Sequence, residues 1–182
     1  QPADAAASFA AALDRRPDDV AALQGLATAY EALGDWNAAE RTWVRLASLP
    51  AGSFPAEARE RIAVQRSFAQ VQALRAEGRL AAAADLLERM RSSQPRNPDV
   101  WAALSEVRNE MNQGSLALTA AEQGLQLAPD SGRLHLARVR ALARLGRFDE
   151  ARRAIAAARG HAADAELARI GGEVERAVAR AE

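Results

Sequence analysis

The stretch YEALGDWNAAERTW, residues 30–43, places three large aromatics and a Gly-Asp pair together in a chain that is only 4% aromatic. Tyr30, Trp36 and Trp43 either line a ligand pocket or plug the core of a repeating unit. The surrounding sequence decides between the two.

At 182 residues and 19.4 kDa the chain is long enough for one domain or a short repeat array. Its composition is that of a folded protein, 49% hydrophobic and 26% charged, with formal net charge +0. Neutrality removes the basic field that nucleic-acid or anionic-membrane binding uses, so neither partner is expected. No apolar run approaches the length of a spanning helix, and direct membrane insertion is not expected. The absence of cysteine excludes disulfides, thiolate metal sites and cysteine nucleophiles. All 24 basic residues are Arg, which together with the abundant Ala suggests a GC-rich bacterial genome. Because the chain starts at Gln1 with no signal-peptide pattern, it is expected to be a processed protein or a piece of a longer one.

Ala, Leu, Arg and Glu dominate, and Pro and Gly fall at intervals that cut the chain into helix-length segments. No alternating strand pattern of useful length is present. Three segments superpose in one frame: LQGLATAYEALGDWNAAERTW (23–43), SFAQVQALRAEGRLAAAADLL (67–87) and HLARVRALARLGRFDEARRAI (135–155). Each carries a polar residue after a Gly, Ala five past that Gly and a bulky apolar residue nine past it. WAALSEVRNEMNQGSLALTAA (101–121) fits with its Gly displaced by two. Pro95 and Pro129 close two units 34 residues apart, and Gly78 and Gly146 stand at twice that spacing.

These residues resemble the tetratricopeptide repeat (TPR), a helix-turn-helix unit. The carriers are Tyr30, Gly34, Trp36, Ala39 and Trp43; Leu74, Gly78, Leu80, Ala83 and Pro95; Trp101, Leu104, Ala117 and Pro129; Leu142, Gly146, Phe148, Ala151 and Ile155. Ala5, Phe9 and Pro17 fit an amino-terminal half unit. The resemblance implies an all-α, right-handed α-solenoid of about four and a half TPR hairpins plus a C-terminal helix. The expected boundaries are a half unit at 4–17, units near 20–50, 55–96, 98–130 and 132–160, and a helix at 163–182. Neither helix of a hairpin can bury its apolar stripe alone, so hairpins stack, with Ala39, Ala83, Ala117 and Ala151 where helices approach closely. Tyr30, Trp36 and Trp43 are then core plugs.

Gly34 and Gly78 stand ten residues further apart than one period, and the surplus falls around ASLPAGSFPAEARER (47–61). Pro50 and Pro55 break the chain there, with a long helix expected from Pro55 to about Glu77, and the stretch is expected to act as a hinge. Arg138 stands where the family usually has an apolar residue, so the fourth unit is expected to be looser.

His135 and His161 are the only imidazoles, and no metalloprotease, phosphate-loop or nucleophile-elbow motif is present. Carboxylates recur beside Arg at helix-surface spacing, as in EARER and DEARR, and read as solvated faces. No enzyme, metal or cofactor is expected. In stacked TPR hairpins the first helices line a concave groove, so the resemblance implies a peptide or helix bound there. The candidates are Gln24, Thr28 and Glu31; Gln65, Phe68, Gln72 and Arg75; Asp99, Glu106, Asn109 and Glu110; Arg133, Leu136, Arg140 and Arg144. The Arg133/Arg140/Arg144 stripe has two readings: it grips a partner carboxylate or phosphate, or it is spent on Glu106 and Glu110 of the preceding unit. Phe68 likewise either anchors a partner or packs under the inserted stretch. The family's clamp for a chaperone's terminal carboxylate needs Lys and Asn at set places, a combination absent here.

The expectation is therefore a non-catalytic protein-binding scaffold. The units and FPAEARERIAVQRSFAQVQALRAEGRL (54–80) are also similar to periplasmic TPR regions of bacterial exopolysaccharide exporters of the cellulose synthase C-subunit type. That similarity implies a periplasmic spacer, with cytoplasm the alternative location. Its partners would be a synthase or outer-membrane export components. An assembly chaperone of the cytochrome c maturation type and a direct polysaccharide binder are the alternatives; the second is disfavoured because the large rings are assigned to core.

Overall fold

In the computed structural model, which describes residues 1–179, four turns of one geometry punctuate the chain. Gly34, Gly78, Asn112 and Gly146 all take left-handed backbone conformations, with φ of 74°, 72°, 60° and 71°. In each, the next residue's N–H donates to the carbonyl five residues back: Asp35 to Tyr30, Arg79 to Leu74, Gln113 to Arg108 and Arg147 to Leu142, at 2.8–3.0 Å. This closure satisfies carbonyls that a helix end leaves open and reverses the chain. The third turn corrects the sequence expectation. Its left-handed residue is Asn112, 34 residues from both Gly78 and Gly146, and not the displaced Gly114. Asn tolerates this conformation better than other residues with a Cβ. Gly114 instead opens the following helix, where an added Cβ would crowd the Leu145 side chain at 3.0 Å.

Between these turns the described residues form ten helices: α1 (Pro2–Arg15), α2 (Val20–Leu33), α3 (Trp36–Ala47), α4 (Ala56–Ala76), α5 (Leu80–Ser93), α6 (Pro98–Glu110), α7 (Gly114–Leu127), α8 (Gly132–Arg144), α9 (Phe148–Ala158) and α10 (Asp164–Val178). The architecture is all-α. The tail helix expected at 163–182 is α10, and 180–182 lie outside the described residues. Asp19 and Asp35 cap α2 and α3 by accepting the N–H of Ala22 and Ala38, each at 3.0 Å. Pro98 opens α6, where a missing N–H costs nothing.

The chain divides into two compact units, Gln1–Gln70 and Val71–Glu182, with the division inside α4. In the first, α1 packs on α2 and α2 on α3. Trp43 is 5% exposed in a core with Leu23, Leu26, Ala27, Ala39, Leu46 and Ile62; Tyr30 and Trp36 pack half-buried against it. The 30–43 cluster is therefore core. Trp43 donates its indole N–H to Glu31 Oε1 at 2.8 Å, and Phe54 stacks on its ring at 5.9 Å between centroids. Arg59 covers Phe54 at 5.1 Å. Residues 48–55 are thus held against α3 by an aromatic pair.

In the second unit consecutive helices from α5 to α10 pack in order, and alternate helices also meet, α6 on α8 and α8 on α10. Ala83, Ala117 and Ala151 are fully buried, as is Ala39 in the first unit, so no side chain larger than a methyl separates the helices there. Leu136, expected in the groove, is buried with Val139, Leu142 and Ile170. Although only 6% exposed, it stands three residues past Arg133 and four before Arg140, so it stays on their stripe and lines a cleft with them. Arg138 is half-buried; its Nε has no hydrogen-bond partner and stands 3.9 Å from Glu122.

Two outcomes follow from this geometry. Asn112→Gly keeps the urea midpoint within about 1 kcal/mol of the parent, whereas Asn112→Val, β-branched in a left-handed turn, costs a further ~1–3 kcal/mol. Trp43→Ala, measured the same way, destabilises the first unit by about 3–5 kcal/mol.

Candidate functional site

Alternate helices of the second unit place charged side chains side by side, and their signs alternate. Arg75 at the end of α4 donates to both carboxylate oxygens of Glu110 on α6, the Nε bond at 3.3 Å, and lies 3.5 Å from Glu106. On the other flank of α6, Arg133 of α8 grips Glu106 through two bonds of 2.7 and 2.9 Å and stands 3.9 Å from Asp99. Arg140 of α8 reaches across to Glu166 of α10. Arg169 of α10 pairs with Glu173 one turn on at 2.6 Å. The hydrogen bond to Glu110 raises the Arg75 guanidinium above its ordinary range, and the bond to Glu106 does the same for Arg133. Both remain cations at any working pH.

Between these pairs lies a cleft of about 640 Å³, lined by Arg75, Glu106, Asn109, Glu110, Arg140, Ala143, Arg144, Arg169, Ile170 and Glu173. Six of the fifteen sequence candidates meet in it: Arg75, Glu106, Asn109, Glu110, Arg140 and Arg144. Arg133 lines a neighbouring cleft of about 450 Å³ that shares Glu106 and Arg140 with the first. Gln72 supports the site from the side by accepting from Arg75 at 3.0 Å. The remaining candidates lie in the first unit. Gln24 and Thr28 line an apolar cleft with Ala5, Phe9 and Ala29, and Thr28 donates back to the Gln24 carbonyl at 2.9 Å. Glu31 is 10% exposed, with one oxygen on Trp43 and the other on Arg61 at 2.8 Å, so both of its oxygens are engaged. Phe68 is half-buried on α4.

The two sequence readings of the Arg stripe divide between its members. Arg133 is spent on Glu106, whereas Glu110 takes Arg75, and Arg140 takes Glu166 of a helix outside the recognised repeats. Arg144 donates only to an amide, Asn112 Oδ1. Among the described residues it is the one arginine of this cleft without a carboxylate within ion-pair distance. Asn109, on the cleft wall, is 6% exposed; its Nδ2 makes a long 3.4 Å bond to the Ala137 carbonyl and its Oδ1 has no partner. An orphaned buried acceptor costs about 1–3 kcal/mol.

Sequence reasoning missed Glu166, Arg169, Ile170 and Glu173 because α10 matches the repeat poorly. The signal present was the buried triplet Leu167, Ile170 and Val174 at helical spacing. Among the described residues no group of three or more His, Asp and Glu side chains could hold a metal ion, and no helix is long and apolar enough to cross a membrane. His135 donates Nε2–H to the Pro129 carbonyl at 2.8 Å and stacks on His161, with ring centroids 5.0 Å apart.

Helical hairpins that repeat every 34 residues in the second unit, with side chains of alternate helices converging on one cleft, define the class as a helical-repeat array. Residues 1–48 match the tetratricopeptide repeat family model, and the whole chain has a TPR-like α-solenoid fold. The P58(IPK) TPR domain is similar over 100% of this chain and 52% of that one, at 18% identity and a TM-score of 0.64. The chain thus spans about half the length of that structure. PcrH, solved in complex with the chaperone binding region of PopD, covers 66% of this chain and 94% of its own, at 17% identity and TM-score 0.56. MamA of MSR-1 covers 86% and 84%, at 20% identity and TM-score 0.50. No curated protein sequence matches the chain.

Two measurements check the electrostatics. Asn109→Leu, which removes the orphaned acceptor at similar volume, raises stability by about 1 kcal/mol in urea unfolding. Separately, Glu88 carries a burial penalty that is outweighed by hydrogen bonds from Arg91 and Arg108, so its carboxyl titrates below its ordinary value. A folded pKa below the unfolded one gives stability that is present above the unfolded value and lost as pH falls through the folded one. The urea midpoint therefore drops on acidification below about pH 5, and Glu88→Gln makes that part of the drop smaller.

Proposed function

We propose that the chain is a non-catalytic scaffold that holds a segment of another protein in the cleft of its second unit. The observation that carries this reading is the convergence of α4, α6, α8 and α10 on one cleft whose wall keeps a buried, unsatisfied Asn109. Stability alone does not account for such a residue. The cleft is charged and has no aromatic ring among its lining residues, which suits a peptide backbone with polar side chains better than a stacked sugar. PcrH, a protein of similar fold, was solved with a region of another protein bound.

On the finer question of setting, we propose a periplasmic spacer or docking segment of a bacterial exopolysaccharide export apparatus. This rests on the similarity of residues 54–80 and of the Ala/Arg-rich units to such exporters. A pull-down from bacterial envelope extract that recovers synthase or outer-membrane export components supports it. Recovery of a cytochrome maturation factor instead supports the chaperone alternative.

The cleft itself is tested with Ala143→Phe, which fills it from a half-exposed position on α8. The variant keeps parental circular dichroism and loses binding to a peptide array by at least about tenfold. Undiminished binding by the folded variant would place the partner surface elsewhere.

A further inference from the structure

We infer that Arg144, held by Asn112, is a recognition point for a single Asp or Glu side chain of a segment passing through the second unit's cleft. The inference rests on the reading of that cleft as a peptide site and names the partner's chemistry. The charge pattern supplies the argument. Arg75, Arg133, Arg140 and Arg169 each face a carboxylate of the array itself, so their charge is answered before any partner arrives. Arg144 faces only the Asn112 amide, which takes one N–H of a guanidinium that has five. The remaining donors form a fork that matches a carboxylate. Glu110 and Glu173 on the same walls repel a dense acidic run, so one carboxylate is accepted and several are not.

A second observation points to the same occupant. Asn109 lies one helical turn before Asn112, nine-tenths buried, with an acceptor that no group of the protein satisfies. A rotation of its amide exchanges the long bond to Ala137 for one into the cleft, where a backbone N–H of the segment completes it. The groove continues past Arg140 and Glu106, which line both clefts. A through-going segment with an internal acidic side chain therefore fits it better than a chain end.

The turn at Asn112 makes the idea separable from folding. Asn, Asp and Gly all tolerate the left-handed conformation, but they present Arg144 with an amide, a carboxylate or nothing. The probe is a pair of C-terminally amidated libraries of peptides about twelve residues long, identical except for Glu or Gln at the centre. The full chain is expected to prefer the Glu library by about tenfold, the value of one charge-assisted pair, with the preference shrinking as salt is added. Asn112→Asp neutralises Arg144 from within and abolishes the preference, while residual cleft binding stays sensitive to Ala143→Phe. Arg144→Gln does the same from the other partner. Equal binding of both libraries through the cleft overturns the Arg144 assignment and leaves the peptide site standing. Binding of the Gln library restored by a free C-terminus overturns the internal side chain in favour of a chain end. Absence of cleft-dependent binding to either library removes both readings.

Discussion

An amphipathic helical hairpin in water leaves one apolar face uncovered, and the array exists because the next hairpin covers it. Two local devices make that stacking regular. A left-handed residue closes each turn with the same hydrogen bond to the carbonyl five residues back, and an alanine opposite lets the helices approach until no larger side chain fits. Ala39, Ala83, Ala117 and Ala151 are fully buried for this reason. Any larger side chain there pushes helices apart and opens gaps on both sides of the contact.

Once alternate helices are brought side by side, their polar stripes have to coexist at close range. Like charges on adjacent stripes would oppose the stacking that the cores favour, and the second unit resolves this by alternating sign from α4 to α10. The pairs remain partly open to water, so each adds little stability; their larger effect is to use up charge. What remains uncompensated is then informative: one arginine answered by an amide and one buried asparagine with an idle acceptor. The same Asn112 that closes the third turn also meets Arg144, which joins the geometry of the fold to the chemistry of the cleft.

The parts legible in sequence are those set by local backbone chemistry and spacing. The turn glycines, the buried alanines, the aromatic core at Tyr30–Trp43 and the long α4 each follow from residue type at a fixed interval. Asn112 was hidden because a search for glycine settles on Gly114, two residues on, although the 34-residue spacing from Gly78 and Gly146 falls on Asn112. The partner of Arg140 could not be read, since Glu166 comes from a helix with no repeat signature. Glu31 has the spacing of a groove residue, yet the indole N–H of Trp43 needs an acceptor and Glu31 is within reach. That requirement exists only in three dimensions. Leu136 shares the stripe of Arg133 and Arg140 and lines a cleft with them, but its burial against the core comes from packing that the spacing does not show.

The central claim is that partner binding lies on the alternate helices of the second unit. Hydrogen-exchange mass spectrometry of the full chain, with and without the tightest-binding Glu-library peptide, tests it directly. The account predicts added protection in the ends of α6 and α8 that carry Asn109 and Arg144, and in α10 around Ile170. Protection confined to α5, α7 and α9, or to the first unit's α1 and α2, would contradict it.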